Sequence, residues 1–445
     1  MTSATPEPEG TAPSPDKSPP HSEEGRPYWM VEVGKIGKHR REKTLWQRFK
    51  EELYADNSFT VSVLAVLLAL AVGAVLMVLG NDTVRQQWAY FFYQPLKTLE
   101  MSWEFVAKAY TDMFKGAIVN PDTFNRWIWG MTTWQQVLRP ISETLTNAAP
   151  LILTGLAVAI PFRAGLFNIG AQGQAIMGAI GAGTVGIALD LPAIINLPLA
   201  IIVGFLCGGL WGYLVGILKA KTGAHEVIVT IMLNYIAALF LGWYILRPAI
   251  KDPARTDAIS KPVNESALLA KIFDPSLRVS LSIVLALLAA AAMAWLLNRG
   301  RFGFELRAVG HNPHAASTAG MKVGTTIAMT MALAGALAGL GGTTMVLGTA
   351  TVLTDGVVGL IGFNGILVAL LGRVKPWGVA AAGLLFGALQ SGGQAMQTFA
   401  GVSNELVTVI QAMIVIFVAA PMLVKAIFRL RRSPSQAASA VLAKG

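Results

Sequence analysis

About ten apolar runs follow one another along this chain, most of them long enough to cross roughly 30 Å of hydrocarbon as a helix. They fall at Ser58 to Gly80 and at 142–161, 171–189, 197–218, 227–246, 277–297, 324–348, 356–371, 377–397 and 405–424. Hydrocarbon offers no water to backbone N–H and C=O groups, so each run has to close its own hydrogen bonds as a helix. The expected fold class is all-α: a polytopic membrane protein of about ten transmembrane helices. Composition agrees, with 54% hydrophobic and 13% charged residues, against about 25% charged in a soluble domain. The formal charge of +10 raises nucleic acid as a partner. However, a nucleic-acid binder concentrates its charge on one solvated face, and here Lys and Arg sit mostly between apolar runs. No nucleic-acid partner is expected. The single cysteine, Cys207, lies inside a run, so no intrachain disulfide can form.

Charge placement orients the chain. Residues 1–25 are rich in Pro, Ser, Thr and Glu and cannot bury a core, and 26–50 are basic, so 1–57 reads as a disordered and basic N-terminal region. No signal peptide is visible. Basic residues before the first span place the N-terminus in the cytoplasm. Alternating from there, the inside segments carry Arg163; Lys219 and Lys221; Arg299, Arg301, Arg307 and Lys322; Arg373 and Lys375; and Lys425 to Arg432. Every one is net basic, so both termini are expected inside. The transmembrane domain is then 58–428, with a cytoplasmic tail at 429–445. Segment 81–141 is an external insert in which Trp103, Val106, Ala107, Tyr110, Met113, Phe114 and Ala117 recur at helical spacing. That pattern predicts an amphipathic helix lying on the outer membrane face.

A faint repeat pairs Phe167-Asn168-Ile169-Gly170 with Phe363-Asn364-Gly365-Ile366, and His225-Glu226 with Asn404-Glu405. The members of each pair fall on opposite sides in this topology, as an inverted repeat requires.

Two stretches carry functional information. In the cytoplasmic loop 298–323, Asn312 suits a helix N-cap, Pro313 the first helical position and Gly320 the residue past the end. The result is a short helix whose small surface at Ala315 and Ala316 admits a groove on another protein. In the second stretch, Pro161, Gly165, Gly170 and Gly173 should interrupt the helix between two spans. Irregular backbone at membrane depth survives only when buried in protein or lining a wet cavity. Phe167, Asn168, Gln172 and Gln174 are therefore pathway candidates, with Phe363 and Asn364 as their second-half counterparts. Amides and aromatics suit a neutral, hydrogen-bonding solute with a ring face.

These stretches resemble a known family. Arg307-Ala308-Val309-Gly310-His311-Asn312-Pro313-His314-Ala315-Ala316 looks like the coupling loop of ABC-importer permeases of the ribose and branched-chain amino acid type. Pro161-Phe162-Arg163-Ala164-Gly165-Leu166-Phe167-Asn168-Ile169-Gly170-Ala171-Gln172-Gly173-Gln174, with Gly362-Phe363-Asn364-Gly365-Ile366, resembles the nucleoside branch, which works with a basic-membrane-type lipoprotein. Gln172 replaces a usual acidic residue and His225 a usual Asn.

The resemblance implies a permease subunit in a bacterial cytoplasmic membrane, moving a nucleoside or simple sugar by alternating access. It implies an ATP-hydrolysing subunit docked on Gly310, Asn312, Pro313, Ala315, Ala316 and Gly320, an external substrate-binding lipoprotein and a second permease subunit. No Gly-x-x-x-x-Gly-Lys-[Ser/Thr] phosphate cradle is present, so ATP hydrolysis belongs to another chain. The rival is an ion-coupled secondary transporter, but such proteins usually keep an ionisable group within a span, and Glu143, Glu226, Arg278, Asp355 and Glu405 all lie at edges. No catalytic residue, metal ligand or cofactor is expected; His225-Glu226 lacks the second histidine of a zinc motif, Val229 standing there instead.

Overall fold

A computed structural model describes residues 58–428; the expected N-terminal region at 1–57 and the tail at 429–445 lie outside them. Among the described residues the secondary structure is helical apart from turns, a long irregular segment at 246–281 that holds one 3-10 turn (Glu265–Ala267), and three isolated β-bridges in the 251–354 stretch. The first span is α1 (Ser58–Gly80). The insert that follows folds as α2 (Asp82–Trp88), α3 (Pro95–Ala117) and α4 (Pro121–Ile128). Next come α5 (Trp134–Arg163), α6 (Ala171–Ala188), α7 (Ala193–Thr222), α8 (Glu226–Ile245) and α9 (Ser282–Arg299). Two short helices, α10 (Arg301–His311) and α11 (Pro313–Thr318), lead into α12 (Val323–Met345), which ends in a π-turn at Val346–Ala350. The chain closes with α13 (Ile361–Leu371), α14 (Pro376–Ala400), α15 (Asn404–Ala419) and α16 (Pro421–Phe428).

Each expected span coincides with a helix, but they are not equivalent. Six stretches among the described residues are long and apolar enough to cross a membrane: Val63–Gly80, Trp134–Arg163, Ala193–Thr222, Glu226–Ile245, Ser282–Arg299 and Val323–Ala350. The expected span at 356–371 is helical only over the 11 residues of α13. That length rises about 16 Å, half of a bilayer core. Its helix starts late because 351–360 is a turn in which Thr351 and Gly359 take positive φ. The last expected span is divided by Pro421, whose ring and missing N–H stop α15 at Ala419.

Tight packing comes from small residues rather than from large ones. A Cβ on Gly212 of α7 would stand 2.2 Å from the Met331 carbonyl oxygen of α12, and one on Gly178 of α6 would stand 2.3 Å from that of Gly339. In lipid, where apolar side chains gain nothing by leaving the solvent, close backbone approach is what holds helices together.

The insert helix α3 forms as expected, and the face it turns into the protein is made mostly of small residues. Thr98, Ser102, Ala109 and Ala117 are buried, whereas Trp103 is 73% exposed and Phe114 53%. Its C-terminal half packs between α1 and α14. Tyr110 Oη donates to the Leu70 carbonyl of α1, Ser391 Oγ of α14 donates to the Gly116 carbonyl, and Gly116 fits directly against Ala395.

Candidate functional site

Two helices begin inside the bundle, and both begin beside the middle of α5. Thr154 of α5 lies nine residues, about 14 Å, from that helix's C-terminal end. Its hydroxyl donates to the Ile361 carbonyl at the start of α13, 2.9 Å away. A Cβ on Gly365 would meet the Thr154 backbone at 2.8 Å, and one on Gly362 would meet the Gln172 amide nitrogen at 2.3 Å. The first turns of α6 and α13 and the middle of α5 are therefore in backbone contact. Helix N-termini carry partial positive charge and unsatisfied N–H groups.

The loop between α5 and α6 supplies most of the predicted site residues. Helix α5 ends in a Schellman turn, with Gly165 at φ +71° and the Leu166 and Gly165 amides closing on Pro161 and Phe162. Beyond it, Asn168 is fully buried. Its Nδ2 donates to the Ala157 carbonyl (3.1 Å) and to Gln174 Oε1 (2.9 Å), while its Oδ1 accepts from Gly170 N (3.1 Å) and Gln174 Nε2 (3.2 Å). Gln174 is buried with it.

Gln172 reaches the other helix start. Its Nε2 donates to the Gly359 carbonyl at 2.6 Å and its Oε1 accepts from Gly362 N at 3.0 Å, which satisfies one orphan donor of α13. Asn234 of α8 fixes the remaining backbone, accepting from Gly173 N and donating to the Ile169 carbonyl. The structure thus joins α5 to α6 through the bonded pair Asn168 and Gln174, and α6 to α13 through Gln172. Phe167 and Phe363 are the members that reach the surface, 41% and 40% exposed. Phe167 stands edge-on to Phe162, ring centroids 4.4 Å apart. Asn364 is half-buried in the first turn of α13.

Sequence reading missed how the same loop is held from beneath. Lys219 and Glu226 pair at 2.8 Å across the α7–α8 turn, and Glu226 Oε1 accepts from Phe167 N at 3.4 Å. Arg163 Nε donates to the Val374 carbonyl in the α13–α14 turn. There Arg373 and Val374 both take positive φ, a conformation rare and strained for a β-branched residue. The available signal was weak: one acid, Glu226, opening an otherwise apolar run.

Helix α10 sits directly on this platform, and α11 packs on α10 and α12. Gly310 of α10 packs so closely on Arg163 and Ala164 that a Cβ would lie 2.3 Å from the Arg163 carbonyl oxygen. Asn312 caps α11, its Oδ1 accepting from His314 N and Ala315 N, with Pro313 at the first position and Gly320 at φ +81° after the end. Ala316 is buried against its own subunit, whereas His314, Ala315, Ser317 and Thr318 are exposed.

At the other end of α5 lies an open, charged cavity of about 990 Å³ between the insert and the end of α14. Lys108, Lys115, Arg139 and Arg278 line it together with Asp112 and Glu143. Arg278 pairs with Glu143 at 2.9 Å, and Lys115 with Asp122 at 2.7 Å. The Lys115 hydrogen bond, and then its charge, holds the Asp122 carboxyl below its usual range. Asp112 Oδ2 is buried there with no hydrogen-bond partner.

Comparison with known proteins converges on one family. The branched-chain amino acid transport system permease component family matches residues 141–419. A guanosine ABC transporter permease of Bacillus subtilis is 46% identical over 282 residues, covering 63% of this chain and 80% of that protein. A nucleoside ABC transporter permease of Lactococcus lactis is 37% identical, covering 64% and 81%. A glucose ABC transporter permease of Haloferax volcanii is 34% identical, covering 62% and 75%. No solved structure matches. The matched span takes in both interrupted helix starts, the α10–α11 loop and the platform joining them, and the chain belongs to the ABC-transporter permease family of the branched-chain amino acid type.

Proposed function

We propose that this chain imports a nucleoside across a bacterial cytoplasmic membrane, as one of a pair of permease subunits driven by a separate ATPase. The observation that carries this reading is the continuous contact from α10 through Arg163 and Ala164 to the Phe167–Gln174 loop and on to the start of α13. A displacement of α10 and α11 is transmitted to both interrupted helices, because no flexible linker intervenes. Phe167, Phe363 and Asn364 would line the path, with aromatic faces for a base and the two helix N-termini for its acceptor groups. Asn168, Gln172 and Gln174 would position that lining. The charged outer cavity suits an external binding protein docking over the insert, and α11 suits a groove on the ATPase.

Nucleoside is favoured over sugar because the guanosine and nucleoside permeases are 46% and 37% identical, against 34% for the glucose permease. The test is uptake of radiolabelled guanosine in cells expressing the complete transporter, in competition with unlabelled nucleosides and with glucose. Nucleosides should compete at micromolar concentration and glucose should not. The reverse ranking would make this a sugar permease.

The docking claim has its own test. Ala315 is exposed on α11, so Ala315→Trp adds bulk at the contact without disturbing the subunit's packing. Co-purification of the ATPase should fall at least about tenfold, the loss expected when a steric block costs 1.4 kcal/mol or more at an interface. Wild-type co-purification would remove α11 from the interface.

A further inference from the structure

Beside the α10–α11 elbow, two cavities of opposite character adjoin. The first, about 550 Å³, is polar and open, lined by Arg301, Glu305, Lys322 and Thr325. The second, about 440 Å³, runs between α7, α9 and α12 and is apolar throughout, apart from the Tyr213 hydroxyl. Phe302 and Met329 belong to both, so the polarity changes across one pair of side chains.

The groove exists because its floor is made of small residues. Gly209, Ala332 and Ala336 meet where α7 and α12 touch, a Cβ on Gly209 lying only 3.3 Å from that of Ala336. Its walls face outward: Leu206 is 52% exposed, Leu210 66% and Met329 48%. The polar cavity lies where α9 ends at Arg299 and α12 begins at Val323, the level at which hydrocarbon gives way to headgroups. Arg301 and Lys322 outnumber Glu305, which pairs with Arg301 at 3.0 Å, so the lining carries one net positive charge.

We propose that this composite site holds one anionic diacyl phospholipid of the leaflet on the α10–α11 side. Its phosphate sits in the cavity of Arg301 and Lys322, and one acyl chain lies in the groove of α7, α9 and α12. A headgroup attached to a chain is the ligand whose own polarity changes over the same short distance, and basic pockets between membrane helices suit anionic headgroups. Because Ala319 to Lys322 follow α11 directly and line the polar cavity, the bound lipid buttresses the segment that connects α11 to α12.

The test is native mass spectrometry of the intact transporter released from membranes containing equal phosphatidylglycerol and phosphatidylcholine, counting each lipid retained. The wild type should retain phosphatidylglycerol selectively. Arg301→Gln with Lys322→Gln should lower its retention about thirtyfold, the loss expected for two cations near a membrane surface, without changing phosphatidylcholine. Glu305→Gln should raise it. Ala332→Phe, which fills the groove floor, should displace the lipid although both cations remain. Unchanged phosphatidylglycerol retention in the double charge variant would overturn the proposal. So would inorganic phosphate stabilising the protein as well as the phospholipid does, since the groove would then contribute nothing.

Discussion

Gly310→Val abolishes ATP-driven uptake while the chain still inserts into the membrane. Any side chain at 310 begins with a Cβ 2.3 Å from the Arg163 carbonyl oxygen and 2.9 Å from Ala164 Cα and C. All three obstructing atoms are backbone, so no rotamer change relieves the clash. Either α10 lifts from the 163–165 turn or that turn moves, and Arg163 and Phe167 move with it. Overpacking of this kind costs about 1–3 kcal/mol or more. Here the cost falls on the contact between α10 and the interrupted span, so transport should drop well over tenfold. Gly320→Ala is the control. Gly320 needs positive φ, but a Cβ there meets nothing within 4 Å, so the penalty is about 1 kcal/mol of backbone strain and uptake should persist. Uptake assays alongside membrane expression of the two variants check the contrast; equal uptake would dismiss the contact as a coupling element.

Asn168→Leu has a comparable effect by another route. The substitution leaves Gln174, the Ala157 carbonyl and the Gly170 amide without the partner they have in a buried site. An unsatisfied buried group costs about 1–3 kcal/mol, although polar pairs between membrane helices average nearer 0.6 kcal/mol. Three groups around one side chain give an expected loss of about 3 kcal/mol, seen as a lower melting temperature in detergent and uptake reduced more than tenfold. The companion Gln174→Leu should be milder in the Asn168→Leu background than alone, because replacing both partners removes the stranded amide. Strictly additive losses would show that the two amides do not act as a pair.

Much of the fold is legible in the sequence wherever a helix is apolar along its whole length. The runs at 58–80, 197–218 and 227–246 match α1, α7 and α8 closely, because lipid leaves such segments no alternative to helix. Hydropathy fails at 356–371, since Val357, Val358 and Leu360 extend the apolar run backwards from α13 and only backbone conformation, with positive φ at Gly359, separates them from the helix. Periodicity marks α3 as a helix on which Trp103 and Phe114 are exposed, but carries no sign that Gly116 fits directly against Ala395 of α14. The candidate site is legible as residue types but not as contacts. Amides near the ends of apolar runs mark Asn168, Gln172 and Gln174, yet periodicity carries no sign that Asn168 bonds to Gln174 or that Gln172 bonds to the start of α13. Gly310 is named from the resemblance as a docking residue, but its contact with the Arg163 carbonyl, 147 residues earlier, is hidden for the same reason.

The most direct test is transport by purified subunits in sealed vesicles. This chain is reconstituted with the proposed second permease, ATPase and binding protein, and nucleoside accumulation is followed with ATP on the α10–α11 side. An ATPase variant unable to hydrolyse ATP and an ionophore that collapses all ion gradients are compared separately. Accumulation should require hydrolysis and survive the ionophore. Accumulation that ignores the ATPase and stops when the gradients collapse would contradict the account and make this chain an ion-coupled transporter.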